Sequence, residues 1–164
     1  MNQVILFGKE YDFVNLFDQA IKTIKPFTLI DSKFQFKSFS SFEKKTIFLT
    51  LPFLQANYVD FFTKNLLKLS SEFMNFNFVV LVNENPLILN KWESLIEQKN
   101  VRAFSDFATN TFSKSIGIFI DKLGFYIKTC FIINENFKII YQDIVFNLHD
   151  EINFKKLEVF LKTI

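Results

Sequence analysis

Two short apolar runs, each followed by a segment with helical periodicity, constrain this chain more than any other feature of its sequence. Residues 46–51 read TIFLTL and end at Pro52, and residues 76–82 read FNFVVLV. Runs this short and this continuously apolar predict strands buried on both faces, because a solvated face would impose alternation. After the first run, Val59, Phe62, Leu66, Leu69 and Phe73 recur at steps of three and four, which lines one side of a helix. Asn57 is placed to cap that helix, and Asp60 lies in its first turn, where a negative charge is favourable. After the second run, Asn85 caps a helix whose first residue is Pro86, a position where the missing N–H is harmless. The apolar face of that helix is predicted to be Ile88, Trp92, Leu95 and Ile96.

The flanking segments complete the pattern. Residues 4–7 read as a short strand turning at Gly8, and residues 27–30 and 34–36 as further short extended pieces. Residues 101–104 and 117–120 are strand candidates with a small helix around 109–115 between them. Residues 127–133 and 137–146 flank the turn Asn134-Glu135-Asn136, a hairpin signal, and a helix near 154–162 closes the chain. A β-α-β-α order followed by a hairpin and a helix predicts an α/β, thioredoxin-like sandwich with a central mixed sheet flanked by helices. There is no Gly/Ser linker, charge block or internal repeat, so residues 1–164 read as one domain.

Composition narrows the chemistry. With one cysteine and one histidine, the chain cannot carry two-cysteine redox chemistry or a Cys/His metal site alone. Nothing points to an oxidising compartment, and the expected location is the cytoplasm. The net charge is +2, and the 19 basic residues, of which only Arg102 is arginine, are dispersed. That distribution argues against a nucleic-acid partner. No apolar run approaches the ~18 residues of a spanning helix. With three glycines there is no glycine-rich phosphate loop, and no cofactor is expected. The 25 phenylalanines fit either a stacking surface or lipid pocket, or a compositional bias in which Phe, Lys, Asn and Ile rise together. The second reading is preferred.

Several stretches, in order and almost without gaps, resemble the bacterial thiol peroxidases, an atypical two-cysteine branch of the peroxiredoxins. VILFGKE resembles their opening β-hairpin, and PFTLIDSKFQFKSFSSFEKKTIFLTLP the approach to their active-site loop. NPLILNKWESLIEQKNV, VRAFSDFATNTFSKSIGIFI and LGFYIKTCFIINENFKIIYQDIV resemble the later helix, the following Phe-rich stretch and the closing hairpin. The resemblance implies a peroxiredoxin-type fold with an N-terminal β-hairpin, and a homodimer. It also implies a reaction in which a cysteine thiolate attacks a peroxide and a second cysteine resolves the sulfenic acid. Laid onto this chain, the family threonine falls on Ala56, the peroxidatic cysteine on Val59, the resolving cysteine on Glu93 and the activating arginine on Ala108. Pro52 is retained. None of the four replacements offers the atoms that the family mechanism needs.

The remaining candidates are few. Cys130, in IKTCFII, is either the nucleophile of a one-cysteine peroxidase or peroxide sensor, or a small buried hydrophobe; the second reading is favoured. His149 beside Asp150 and Glu151 is read as a solvated loop rather than a metal site. Asp60 is explained as a helix N-terminal charge and Glu93 as a solvated helix residue, and Asp106 is a possible acid/base carboxylate. Pro52, Phe53 and Leu54, with Tyr58, Val59, Phe61, Phe62 and Phe107, suggest an apolar pocket at the vacated site. The expected function is that of a catalytically disabled thiol-peroxidase-like homodimer, a binding or structural protein whose partner is an unknown protein or an apolar small molecule. The alternative is a residual thiol-dependent peroxidase or sensor working through Cys130.

Overall fold

The structure is a computed structural model that describes residues 2–13, 23–54 and 59–164. Its centre is a seven-stranded mixed sheet built from β3 (Phe27–Asp31), β4 (Phe36–Phe39), β5 (Thr46–Leu51), β6 (Asn77–Val82), β7 (Val101–Ser105), β10 (Lys128–Ile133) and β11 (Ile139–Val145). The strand order is β11-β10-β5-β6-β7-β3-β4. The middle strands β5, β6 and β7 run parallel, and the outer pairs are antiparallel. The two runs that dominate the sequence are thus neighbouring central strands, with Thr46 paired to Asn77 and Leu51 to Val82.

Because side chains alternate along a strand, a run apolar at every position must feed two cores. It does. Ile47, Leu49 and Leu51 enter one core, shared with Phe62, Leu66 and Leu69 of α1 (Val59–Glu72), Leu89 and Trp92 of α2 (Pro86–Glu93), and Leu157 of α4 (Phe154–Leu161). Phe48 points the other way, into a second core with Phe112 and Ile116 at α3 (Thr111–Ser115), Ile120 of β8 (Phe119–Ile120) and Tyr126 of β9 (Phe125–Tyr126). That second core is strongly aromatic. Phe48 stacks on Phe131 at 5.0 Å, and Phe27 on Phe112 at 3.8 Å. Much of the phenylalanine excess is therefore core packing.

The N-terminal hairpin pairs β1 (Asn2–Leu6) with β2 (Lys9–Phe13). Its turn places Phe7 at φ 51° and Gly8 at φ 72°, the left-handed pair that a tight hairpin requires. The hairpin docks on the loop after β11 through Ile5 N–H to Phe146 O (2.7 Å) and Leu148 N–H to Ile5 O (2.8 Å). No helix among the described residues is long and apolar enough to cross a membrane.

Three local expectations need correction. The extended piece expected at 34–36 begins only at Phe36. The Asp31 carboxylate accepts hydrogen bonds from Lys33 N and Gln35 N and bends the chain, leaving Phe34 at φ 60°. Helix α2 stops at Glu93, so Leu95 falls beyond it and is exposed, while Leu89 takes a buried place on the apolar face. The small helix starts at Thr111, two residues later than its expected beginning. The proposed cap Asn57 lies outside the described residues.

Candidate functional site

Pro52 follows directly from β5 and is buried, and α1 begins at Val59; Ala56 lies outside the described residues. The end of β5 is tethered to the segment after β6, where Leu54 N–H donates to Glu84 Oε2 at 2.8 Å. Burial raises the pKa of Glu84, and the hydrogen bond from Leu54 acts against that shift. Asp60 is exposed in the first turn of α1, as a helix N-terminal charge should be.

Cys130 sits in the middle of β10, paired with Leu49 on one side and Asp143 on the other, and is 1% exposed. Burial pushes its thiol well above the ordinary cysteine range, and the charge of Asp143 pushes it further. A group so placed is a neutral thiol at physiological pH, without the thiolate that peroxide chemistry needs. The same strand carries a feature that its hydrophobic pattern does not announce. Lys128 is fully buried, and its ammonium donates to the carbonyl oxygen of Asp150. Burial lowers its pKa, while Glu151 and Asp150 oppose the shift. Thr129 pairs with Thr50, so the register brings Lys128 to the end of β5 that carries Pro52. A lone charged residue in a strand otherwise free of charge is the available signal.

Glu93 is not a solvated helix residue, and that reading is corrected. Its carboxylate accepts from Ser32 Oγ at 2.5 Å and Ala103 N–H at 2.6 Å, with Arg102 Nε 3.7 Å away. Strand β3 pairs with β7 at Ser105 and Phe104, so the Ala103 N–H lies beyond the end of that pairing. Glu93 takes the place of the absent strand there. Nearby, Trp92 Nε1–H donates to Thr63 Oγ1 at 3.0 Å and ties α2 to α1.

Asp106 is buried beyond the end of β7. It accepts hydrogen bonds from Ser113 N (2.9 Å), Ser113 Oγ (3.0 Å) and the Tyr126 hydroxyl. Desolvation raises its pKa, against the lowering effect of the Ser113 bonds. With every bond directed into the fold, its role is to brace α3 and β9. His149 is exposed; its Nε2 accepts from Phe7 N–H at 3.2 Å, and its ring meets Phe7 edge-on at 4.7 Å. It fastens the N-terminal hairpin. Among the described residues no cluster of three or more His, Cys, Asp or Glu side chains is placed to hold a metal ion.

Among the described residues, Pro52 follows β5, Glu93 ends α2 and Ala108 lies beyond β7, with β6 between β5 and β7. Ala108 is exposed beyond β7, two strands across from β5. It lines a cavity of about 730 Å³ between β3 and α3, walled by Phe27, Leu29, Phe36 and Phe112. This is not the apolar pocket expected beside Pro52, because neither Pro52, Phe53 nor Phe62 borders it. Phe62 is instead wholly buried in the core, and Phe53 packs edge-on against Phe125 at 5.7 Å.

No protein-family model and no curated protein sequence matches the chain. Solved structures do. A peroxiredoxin-like protein from Aquifex aeolicus superposes with a TM-score of 0.84 at 20% identity, covering 98% of this chain and 96% of its own. The thiol peroxidase from Chromobacterium violaceum gives 0.84 at 15% identity, covering 98% and 95%. The peroxidoxin BcpB from Mycobacterium tuberculosis gives 0.71 at 17% identity, covering 87% and 95%. At such identities the likeness is one of fold, and the fold of this protein is that of the bacterial thiol peroxidases and peroxiredoxins.

Proposed function

We propose that this protein is a catalytically disabled thiol-peroxidase-like protein that acts by binding, as a homodimer. The observation that carries the reading is the position of its only thiol. Cys130 is buried in the centre of β10, where burial keeps it protonated, while the positions aligned with the family's two cysteines hold Val59 and Glu93. Glu93 supports the reading further, because its carboxylate is engaged in holding β7 and Ser32. A sheet, two cores and a hairpin kept coherent without reactive groups fit a protein whose folded surface is what matters. The partner is a protein or an apolar small molecule, and the setting is the cytoplasm.

The test is peroxide turnover by the purified protein, with thioredoxin or a small thiol as reductant. The expected result is consumption no faster than that of the reductant alone, and unchanged in Cys130→Ser. Turnover that disappears in Cys130→Ser would overturn the proposal. Sedimentation equilibrium checks the homodimer, and a monomer at micromolar concentration would count against that part.

A further inference from the structure

We propose that the cavity between β3 and α3 is a binding site for an aromatic monocarboxylate, a small molecule with a planar apolar body and one anionic end. This gives the binding reading above a site and a ligand class, and rests on it. The volume, about 730 Å³, falls within the range of roughly 300–1,000 Å³ that holds small ligands. Its walls are aromatic. Phe27 lies between Phe39 (4.9 Å, 11° between planes) and Phe112 (3.8 Å, 17°), and Phe36 contributes a ring that is 70% exposed. Stacked and edge-on ring contacts favour a planar aromatic guest over a purely aliphatic one.

Two charged side chains border the cavity, Lys25 and Asp106. The Asp106 carboxylate is turned inward onto Ser113 and Tyr126 and is not offered to a guest. Lys25 is exposed, and among the described residues it enters no ion pair. The cation is therefore the charge available to a guest, and its complement is an anion. A carboxylate at Lys25, with the ring body against the exposed ring of Phe36, satisfies both features. Ala108 borders the same space and is exposed. Its small side chain leaves room that a large one would fill, without disturbing either core.

Isothermal titration calorimetry with 2-naphthoate and with its neutral counterpart 2-naphthalenemethanol tests the proposal. The wild-type protein is expected to bind one 2-naphthoate per chain saturably, and the alcohol more weakly. Lys25→Gln should weaken naphthoate binding about fivefold, the scale of one solvent-exposed ion pair, and leave the alcohol unchanged. Ala108→Trp should abolish both, with an unchanged circular dichroism spectrum showing that it still folds. Absence of saturable naphthoate binding, or binding that survives Ala108→Trp, would overturn the site. Equal affinity for acid and alcohol would overturn the anionic ligand class. Failure here is distinguishable from failure of the broader reading, since that reading is tested by Cys130 chemistry and by oligomeric state, both measured without any ligand.

Discussion

Glu93 shows how a single residue can be visible in a sequence and still be misread. Its place near the end of α2 follows from the Asn85 cap and the helical periodicity, and a glutamate there ordinarily faces water. Its partners are Ser32, which lies 61 residues away, and Ala103, 10 residues away, and no local pattern reports such pairings. Replacing Glu93 with alanine strands a backbone N–H and a hydroxyl, so a loss of about 1–3 kcal/mol is expected in urea unfolding. A change below about 0.5 kcal/mol, the range of ordinary surface substitutions, would show that the bonds do not form. Asp106 yields a pH prediction. Its folded-state pKa is raised, so the folded form holds its proton more tightly than the unfolded chain. The stability it contributes is then fully present below the ordinary carboxyl value of 3.8 and is lost as pH rises through the raised value. Asp106→Asn should therefore flatten the fall in stability above pH 3.8, measured by unfolding across a pH series. A slope identical to wild type would contradict the burial assigned to this carboxyl.

At the scale of elements, β5 has the bounds that its apolar run predicts, and α1 begins at the first residue of its apolar stripe. Both are regular signals, one a short apolar run closed by a proline and the other a helical stripe. The edge strand β4 starts later than the hydrophobic pattern predicts, because the turn before it is set by the Asp31 carboxylate. Helix α2 starts where its sequence predicts, and Asn85 Oδ1 accepts from Leu87 N–H at 2.9 Å. Asn85→Ala is expected to lower stability by about 1 kcal/mol, as loss of such a cap does, and Asn85→Asp to be nearly silent. Thermal unfolding of the pair would show it; equal effects from both would place the loss elsewhere than in the cap.

For the whole molecule, the order of strands and helices was legible because adjacent elements in sequence fixed it, while the second core was not. Nothing local tells that Phe27, Phe48, Phe112 and Phe131 converge, since they come from β3, β5, α3 and β10. The same applies to the cavity, whose walls join segments from either side of β7. Phe48 is wholly buried and stacked in parallel on Phe131. Phe48→Ala should destabilise the fold by about 3–5 kcal/mol, whereas Phe36→Ala, on an exposed ring, should change it little. Comparable losses in chemical denaturation would mean that the aromatic core is not where stability resides.

The central claim, that this fold has lost its thiol chemistry, meets its most direct test in the fate of Cys130 under peroxide. Intact-mass spectrometry of the native protein, exposed to hydrogen peroxide with a sulfenic-acid trap present, reads it in one measurement. The account predicts an unmodified native chain, with trapping only once denaturant exposes β10. A trapped sulfenic acid on Cys130 in the native protein would contradict it.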